Sequence, residues 1–230
     1  MVALTDERDL EDLVRGTTIL GVGGGGDPKE GLELLKKALS HSGRIEIISL
    51  EEVPRDSVVV CPYYVGTIAP TAKCSKPIKI RDPMEVAFRE MEKYLGKKIG
   101  AVVAGELGGS NTAVALYIGA KLGLPAVDGD LLGRAAPELH QCTVHIFDVP
   151  MYPSVIVTET GNLILVKEYG DIDDYESIAR YLSVLAGRFA AVVDTPLSPE
   201  LLSKPLIKGS ISRCLEVGRA VRTARERGED

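Results

Sequence analysis

Short apolar runs alternate with amphipathic segments along most of the 230-residue chain. The apolar runs are rich in Val and Ile and have the length of strands: TTILGVG, RIEIISL, SVVVCPYYVG, IGAVVAGE, LPAVDGD, TVHIFDVP and RFAAVVDT. The amphipathic segments between them predict helices: PKEGLELLKKALSH, DPMEVAFREMEKYLG, SNTAVALYIGAKLG, DDYESIARYLSVLAG and SISRCLEVGRAVRTARERGED. The segment SVIVTETGNLILVKEY holds two β-rich runs around Thr160–Gly161–Asn162, which predicts a hairpin.

This alternation predicts an α/β fold of three layers, with a mostly parallel sheet, helices on both faces and the added antiparallel hairpin. No internal repeat and no linker divides the chain. We therefore expect an α/β core domain over residues 1–170 and a C-terminal extension, residues 171–230, packed on the same core.

Composition and charge argue against several functional classes for this chain. The net charge of −6 argues against nucleic acid as a partner, because a phosphate-binding surface needs an excess of Lys and Arg. No apolar run is long enough for a membrane span, the acidic N-terminus does not have the pattern of a signal peptide, and the four cysteines form no CxxC pair. We expect a cytoplasmic protein, and the small-residue segment SNTAVALYIGAKLG suits either the core or a contact within a homo-oligomer.

Three polar loops marked by glycine follow apolar runs: GGGGDP, GELGGSN and DGDLLGRAAPELHQCTVH. Ligands bind beyond the carboxyl ends of parallel strands, so we expect these loops to surround one site. The first loop favours a turn that presents its backbone to a ligand, through Gly23, Gly24, Gly25 and Gly26 with Asp27 beside them. A dinucleotide pattern on Gly21, Gly23 and Gly26, or a merely structural turn, remains the alternative.

The other two loops supply carboxylates. Glu106 leaves an apolar strand between glycines and is expected to face a cleft, while Asn111 is either a ligand or a helix cap. Asp128 and Asp130 flank a glycine on an extended segment, where two carboxylates on one side form an acid–base pair. The alternatives are a divalent metal site completed by His140 or His145, or a simple helix cap.

Other candidates follow in the third loop and before it. Arg134 lies four residues from both Asp130 and Glu138, a spacing that predicts either paired charges on a helix or a clamp for a substrate carboxylate. His140 is a candidate substrate contact. Cys74 lies between two lysines that would lower its pKa, although a loop cysteine without function has the same pattern.

Four blocks in order resemble the S-methyl-thiohydantoin desulfurase-like family: ILGVGGGGDP, GELGGSNTAVAL, GLPAVDGDLLGRAAPEL and GSISRCLEVGRAV. The resemblance runs from about Gly16 to Arg222. It implies a small-molecule substrate, no cofactor and no metal, with water displacing methanethiol from an S-methylated thiohydantoin ring to leave a hydantoin. Genes of this family often lie beside those of hydantoinase or oxoprolinase subunits, so a partner subunit of that type is also implied.

The resemblance also implies roles for the candidate residues. Asp128 or Glu106 would be the base and Asp130 or Glu138 the acid, while amides of the glycine loop hold developing negative charge and Arg134 anchors an acidic substituent. Family members carry a longer, β-rich C-terminal part, so one alternative is a non-catalytic binding module or a hydantoinase-type subunit. Another alternative is a metal-dependent hydrolase that uses Asp128, Asp130 and a histidine.

Overall fold

A computed structural model describes residues 1–66 and 76–229 of the chain. The strands are β1 (Val2–Leu4), β2 (Ile45–Ile48), β3 (Val58–Gly66), β4 (Ile99–Ala104), β5 (Ala126–Asp130), β6 (Ser154–Val157), β7 (Leu163–Val166), β8 (Phe189–Leu197) and β9 (Ile207–Lys208). The helices are α1 (Glu7–Leu20), α2 (Pro28–Ser42), α3 (Pro83–Leu95), α4 (Asn111–Leu122), α5 (Thr143–Ile146), α6 (Ile172–Ala186), α7 (Pro199–Leu202) and α8 (Ser210–Glu226).

The strands form a single mixed sheet in the order β1-β2-β5-β4-β3-β8-β6-β7, with β9 paired to β5. Strands β2, β5, β4 and β3 run parallel at its centre, and the strands that flank them pair antiparallel. The predicted hairpin is confirmed as β6 and β7. The predicted α/β fold, with a parallel central sheet and an antiparallel part, is therefore confirmed.

Each face of the sheet carries its own apolar core. Helices α1, α2, α3, α4 and α8 cover one face, with buried side chains such as Leu13, Leu35, Phe88, Leu116 and Ile211. Helices α6 and α7 cover the other face, where Val59, Val103, Tyr175 and Leu182 are buried. Side chains of central strands alternate between the two cores, which explains why these strands are apolar throughout.

Residues 171–229 share the sheet and both cores with the preceding part of the chain. Strand β8 pairs with β3 and β6, and α8 packs closely on α1. A Cβ at Gly16 would collide with the Cys214 carbonyl, and one at Gly218 with the Asp12 carbonyl, so the glycines permit this contact. Buried Asp12 then binds Arg222 at 3.0 Å across the two helices.

Two predicted strands are wrong. TTILGVG is the last turn of α1 and the start of the loop after it, so the glycine loop joins two helices. The β-branched residues Thr17 and Thr18 are accommodated because their hydroxyls donate to the Val14 carbonyl within the helix. TVHIFDVP holds the short helix α5 followed by irregular chain, and His145 is exposed there.

No helix within the described ranges is long and apolar enough to cross a membrane.

Candidate active site

A cavity of about 540 Å³ lies at the carboxyl ends of the parallel strands. Its walls come from the glycine loop before α2, the ends of β3 and β4, the first turn of α4, the chain from 131 to 142, helix α6 and the start of β8. The strand order explains this convergence, because β3, β4 and β5 are neighbours whose following loops leave the sheet at one edge.

The glycine loop is shaped first by contact with a second glycine loop. Gly25 and Gly26 have φ of +69° and +93°, a region that favours glycine. A Cβ at Gly25 would lie 2.5 Å from Gly108 Cα, and one at Gly26 would collide with the Ser110 hydroxyl. The absent side chains therefore let two main-chain segments touch, and this contact brings Gly25 beside the carboxylate of Glu106.

Backbone hydrogen bonds hold the two loops together. The Gly25 carbonyl accepts from the amides of Ser110 (2.8 Å) and Asn111 (2.9 Å). Thr112 secures the second loop, because its hydroxyl accepts from the Gly108 amide and donates to the Glu106 carbonyl, both at 3.0 Å. The loops thus form a fixed support for the Glu106 side chain.

Glu106 is the carboxylate that this support presents to the cavity. Oε1 accepts from Asn111 Nδ2 at 2.6 Å and Oε2 accepts from the Ala136 amide at 3.0 Å. Burial raises the pKa of Glu106, the charge of Asp130 adds to that effect, and the two hydrogen bonds oppose it. A fixed carboxylate whose pKa is moved toward neutrality is suited to accept a proton from a bound water.

Asp128 and Asp130 lie outside the cavity lining. Asp128 accepts from the Ser212 amide at 2.9 Å and from the Ser212 hydroxyl at 2.5 Å, in the first turn of α8. Asp130 is fully buried, and its Oδ1 accepts from the amides of Leu132 and Gly133 at 2.7 and 2.5 Å. Asp128 therefore binds the start of α8, and Asp130 binds the chain that follows β5. Burial also raises the pKa of Asp130.

The expected row of charges from Asp130 through Arg134 to Glu138 does not form, because residues 131–138 are not helical. Arg134 is exposed and its Nε donates to the Ala135 carbonyl at 2.9 Å. Glu138 lies at the cavity rim, with Oε2 3.4 Å from His140 Nε2. Neither Arg134 nor His140 lines the cavity.

The remaining predicted contacts divide between the cavity and its surroundings. Gly25, Gly26, Asp27 and Asn111 line it, whereas Gly23 and Gly24 do not. Asp27 also caps α2, where its carboxylate accepts from the Lys29 amide at 2.8 Å. Cys74 lies outside the described residues.

Sequence reasoning missed a buried polar cluster beside the cavity floor. Asp194 of β8 is fully buried, and its Oδ2 accepts from the hydroxyls of Tyr63 (2.7 Å) and Tyr175 (2.8 Å). Oδ1 accepts from the Thr195 hydroxyl at 2.9 Å, and the Tyr175 hydroxyl lies 2.7 Å from Ser154 Oγ. The signal in the sequence was an aspartate inside the apolar run RFAAVVDT.

Two thiols, Cys61 and Cys142, also line the cavity. Burial raises the pKa of Cys61 well above its ordinary value, and the negative charge of Asp194 adds to this effect. Burial likewise raises the pKa of Cys142 to about 12. Both side chains are therefore protonated at neutral pH and are poor nucleophiles.

Two arginines bring positive charge to the cavity wall. Arg180 donates from Nε to Glu176 Oε1 at 2.6 Å and also binds the Pro137 carbonyl. Arg188 lies 3.2 Å from Glu30 and its guanidinium stands 4.4 Å from the centre of the Phe189 ring. Within residues 1–66 and 76–229, no group of three or more His, Cys, Asp or Glu side chains is placed to hold a metal ion.

The fold and the cavity define an α/β protein that presents a fixed, partly buried carboxylate to a cavity of about 540 Å³. Family comparison matches residues 8–168 to "S-Me-THD-like, N-terminal domain" and residues 170–230 to "S-Me-THD-like, C-terminal domain". The chain belongs to this family, the S-methyl-thiohydantoin desulfurase-like proteins, and the resemblance noted in the sequence is confirmed.

The crystal structure of a protein from Chromobacterium violaceum is similar to this chain, with a TM-score of 0.79 and 26% sequence identity. The similarity covers 98% of this chain and 63% of that protein, so the chain spans less than two thirds of its length. A search of curated proteins finds no match.

Proposed function

We propose that the chain hydrolyses an S-methyl-thiohydantoin-like ring, with water displacing the methylthio group to give a hydantoin and methanethiol. Membership of the S-Me-THD-like family supports the reaction class. The observation that carries the proposal is Glu106, a carboxylate held at both oxygens and facing a cavity of about 540 Å³. A cavity of this size admits a five-membered ring with a substituent.

The reaction needs a base that accepts a proton from water and an acid that supplies one to the ring. Glu106 takes the water proton as the water oxygen bonds to the sulfur-bearing carbon, and an acid on the opposite side protonates the ring nitrogen. When the carbon–sulfur bond breaks, its electron pair stays on sulfur and the thiolate takes the proton from Glu106. The hydroxyl on the ring carbon returns its proton to the acid, which leaves both groups in their starting states.

The surroundings of Glu106 support this role. Asn111 and the Ala136 amide fix the carboxylate in one orientation, and burial raises its pKa. Of the two predicted acids, Glu138 lines the cavity and Asp130 binds the segment that follows β5. Asp128, the alternative base, binds Ser212 outside the cavity. Arg188 at the wall suits a ring that carries an acidic substituent.

Methanethiol release from S-methyl-thiohydantoin rings, measured by gas chromatography, tests the proposal. We expect turnover by the wild type and a loss of about 100-fold or more in Glu106→Gln, because an amide cannot accept the water proton. Asp128→Asn is the matched control, since Asp128 binds Ser212 outside the cavity, and it should keep most of the rate. Absence of turnover, or full activity in Glu106→Gln, would refute the proposal.

A further inference from the structure

The acid of the proposed reaction can be sought among the groups that line the cavity floor. Glu138 is exposed at the rim, with its Oε2 3.4 Å from His140 Nε2, so it lies on the solvent side of the cavity. Tyr63 lines the cavity and is 8% exposed, and its hydroxyl donates to Asp194, which does not line it. Tyr63 is therefore the member of the buried cluster that connects Asp194 to the cavity.

We propose that Tyr63 donates the proton to the ring nitrogen and that Asp194 acts through Tyr63 as a positioning residue that renews this proton. The inference rests on the proposed function. In the reacting state Asp194 is protonated and its hydrogen points to the Tyr63 oxygen, so the Tyr63 hydroxyl turns its own hydrogen from Asp194 to the ring. Asp194 then gives its proton to the Tyr63 oxygen as Tyr63 gives its own to the ring. The proton later lost by the hydroxyl on the ring carbon returns to Tyr63, and Tyr63 passes one back to Asp194.

The construction of the cluster supports a defined orientation for this carboxyl group. Thr195 has φ of +52°, a left-handed conformation that β-branched residues rarely adopt. Its amide donates to the Met151 carbonyl at 3.0 Å and its hydroxyl to Asp194. Tyr175 is stacked on Tyr169, with ring centres 4.9 Å apart. The hydroxyls of Thr195 and Tyr175 thus hold the Asp194 carboxyl group in one orientation behind Tyr63.

Among the buried titratable groups of this cluster in the described structure, Asp194 is the one that can exchange a proton near neutral pH. Its titratable neighbours are Cys61 and Tyr63 from β3, Tyr175 from α6, Cys142 before α5 and Tyr169 after β7. Burial raises the pKa of each of these thiols and phenols, so they stay neutral. Burial also raises the pKa of Asp194, to about 6, against the hydrogen bonds from Tyr63, Tyr175 and Thr195.

Tyr175 provides a matched control for Tyr63. Both hydroxyls bind the same oxygen of Asp194, at 2.8 and 2.7 Å, yet only Tyr63 lines the cavity. We expect Tyr63→Phe to lose about 100-fold in kcat and Tyr175→Phe less than about tenfold. Loss of the Tyr175 hydroxyl also removes a bond that lowers the pKa of Asp194, so the basic limb of the kcat profile should move to higher pH.

The experiment measures kcat against pH for the wild type, Tyr63→Phe, Tyr175→Phe and Glu138→Gln, with folding checked by thermal unfolding. Any one of three results would overturn the inference. These are a kcat of Tyr63→Phe within tenfold of wild type, a basic limb of Tyr175→Phe at the wild-type pH, and a 100-fold loss of kcat in Glu138→Gln. A merely structural cluster would not move the pH profile.

Binding of unsubstituted hydantoin, measured by calorimetry, separates this inference from the proposed function. We expect Tyr63→Phe to weaken binding by about fivefold or more and Tyr175→Phe by less than about twofold, whether or not the wild type turns over a ring. Hydantoin binding that weakens in Tyr63→Phe but not in Tyr175→Phe, without methanethiol release, would refute the proposed function and leave the contact of Tyr63 with the ring supported. Equal affinities for the two Tyr variants, or no binding by the wild type, would overturn the inference.

Discussion

Replacement of Asp194 by asparagine removes a fully buried carboxyl group while keeping its shape. Burial raises the pKa of this group from 3.8 to about 6 in the folded protein. The folded state therefore binds the proton more tightly than the unfolded state. Stability from this group is present in full below pH 3.8 and is lost as the pH rises through about 6.

The pKa of Asp194 is thus higher by about two in the folded state than in the unfolded state. This difference corresponds to about 3 kcal/mol, because a change of one in pKa is worth 1.36 kcal/mol. Asparagine has no proton to lose, and its amide oxygen can accept from Tyr63 and Tyr175 while its amide nitrogen donates to Thr195. The free energy of unfolding of Asp194→Asn minus that of wild type should thus rise by about 2–3 kcal/mol from about pH 4 to about pH 7.5.

Urea denaturation at several pH values, followed by circular dichroism, measures this difference. Other titrating groups are common to both proteins and cancel. Asp56→Asn, which changes an exposed carboxylate, is the control and should give a flat difference. A difference for Asp194→Asn that stays within about 1 kcal/mol over this range, or that falls with pH, would refute the reasoning about the buried cluster.

Two further predictions concern the loops and the thiols. Gly25→Ala should lower the free energy of unfolding by about 2–4 kcal/mol in urea denaturation, because its Cβ meets Gly108 Cα at 2.5 Å and φ is +69°. Gly23→Ala, with φ of +78° and nothing within 4 Å, should cost only the backbone term of about 1 kcal/mol, and equal costs would contradict the loop contact. Cys61 and Cys142 should stay unlabelled by iodoacetamide near pH 8 in the folded protein, because burial raises the pKa of both thiols. Peptide mapping that finds rapid labelling at either thiol would show that it is accessible as a thiolate.

Most of the fold follows from local pattern. The central strands are apolar runs of strand length, and Asp82 and Gly96 bound α3 as cap residues should. The error at TTILGVG came from β propensity, which intrahelical hydrogen bonds of Thr17 and Thr18 overrode. Strand β9 was missed because Ile207–Lys208 is too short to carry a pattern and forms only by pairing with β5.

The part of the candidate site that lies on loops after neighbouring parallel strands could be predicted from the sequence. Glu106 and Asn111 come from one such loop and line the cavity together. Asp128 was placed differently because its partner, Ser212, lies 84 residues further along the chain. Asp194 was missed for a similar reason, since its contact with Tyr63 depends on antiparallel pairing of β8 with β3, which local pattern does not reveal.

The central claim is that water, activated by Glu106 in this cavity, attacks the ring carbon directly. A single turnover with excess enzyme in water enriched in the heavy oxygen isotope, analysed by mass spectrometry, tests it. The account predicts methanethiol and a hydantoin that carries one heavy oxygen in its first turnover. A first product with ordinary oxygen would show that the Glu106 carboxylate itself attacks the ring, and absence of product would contradict the account altogether.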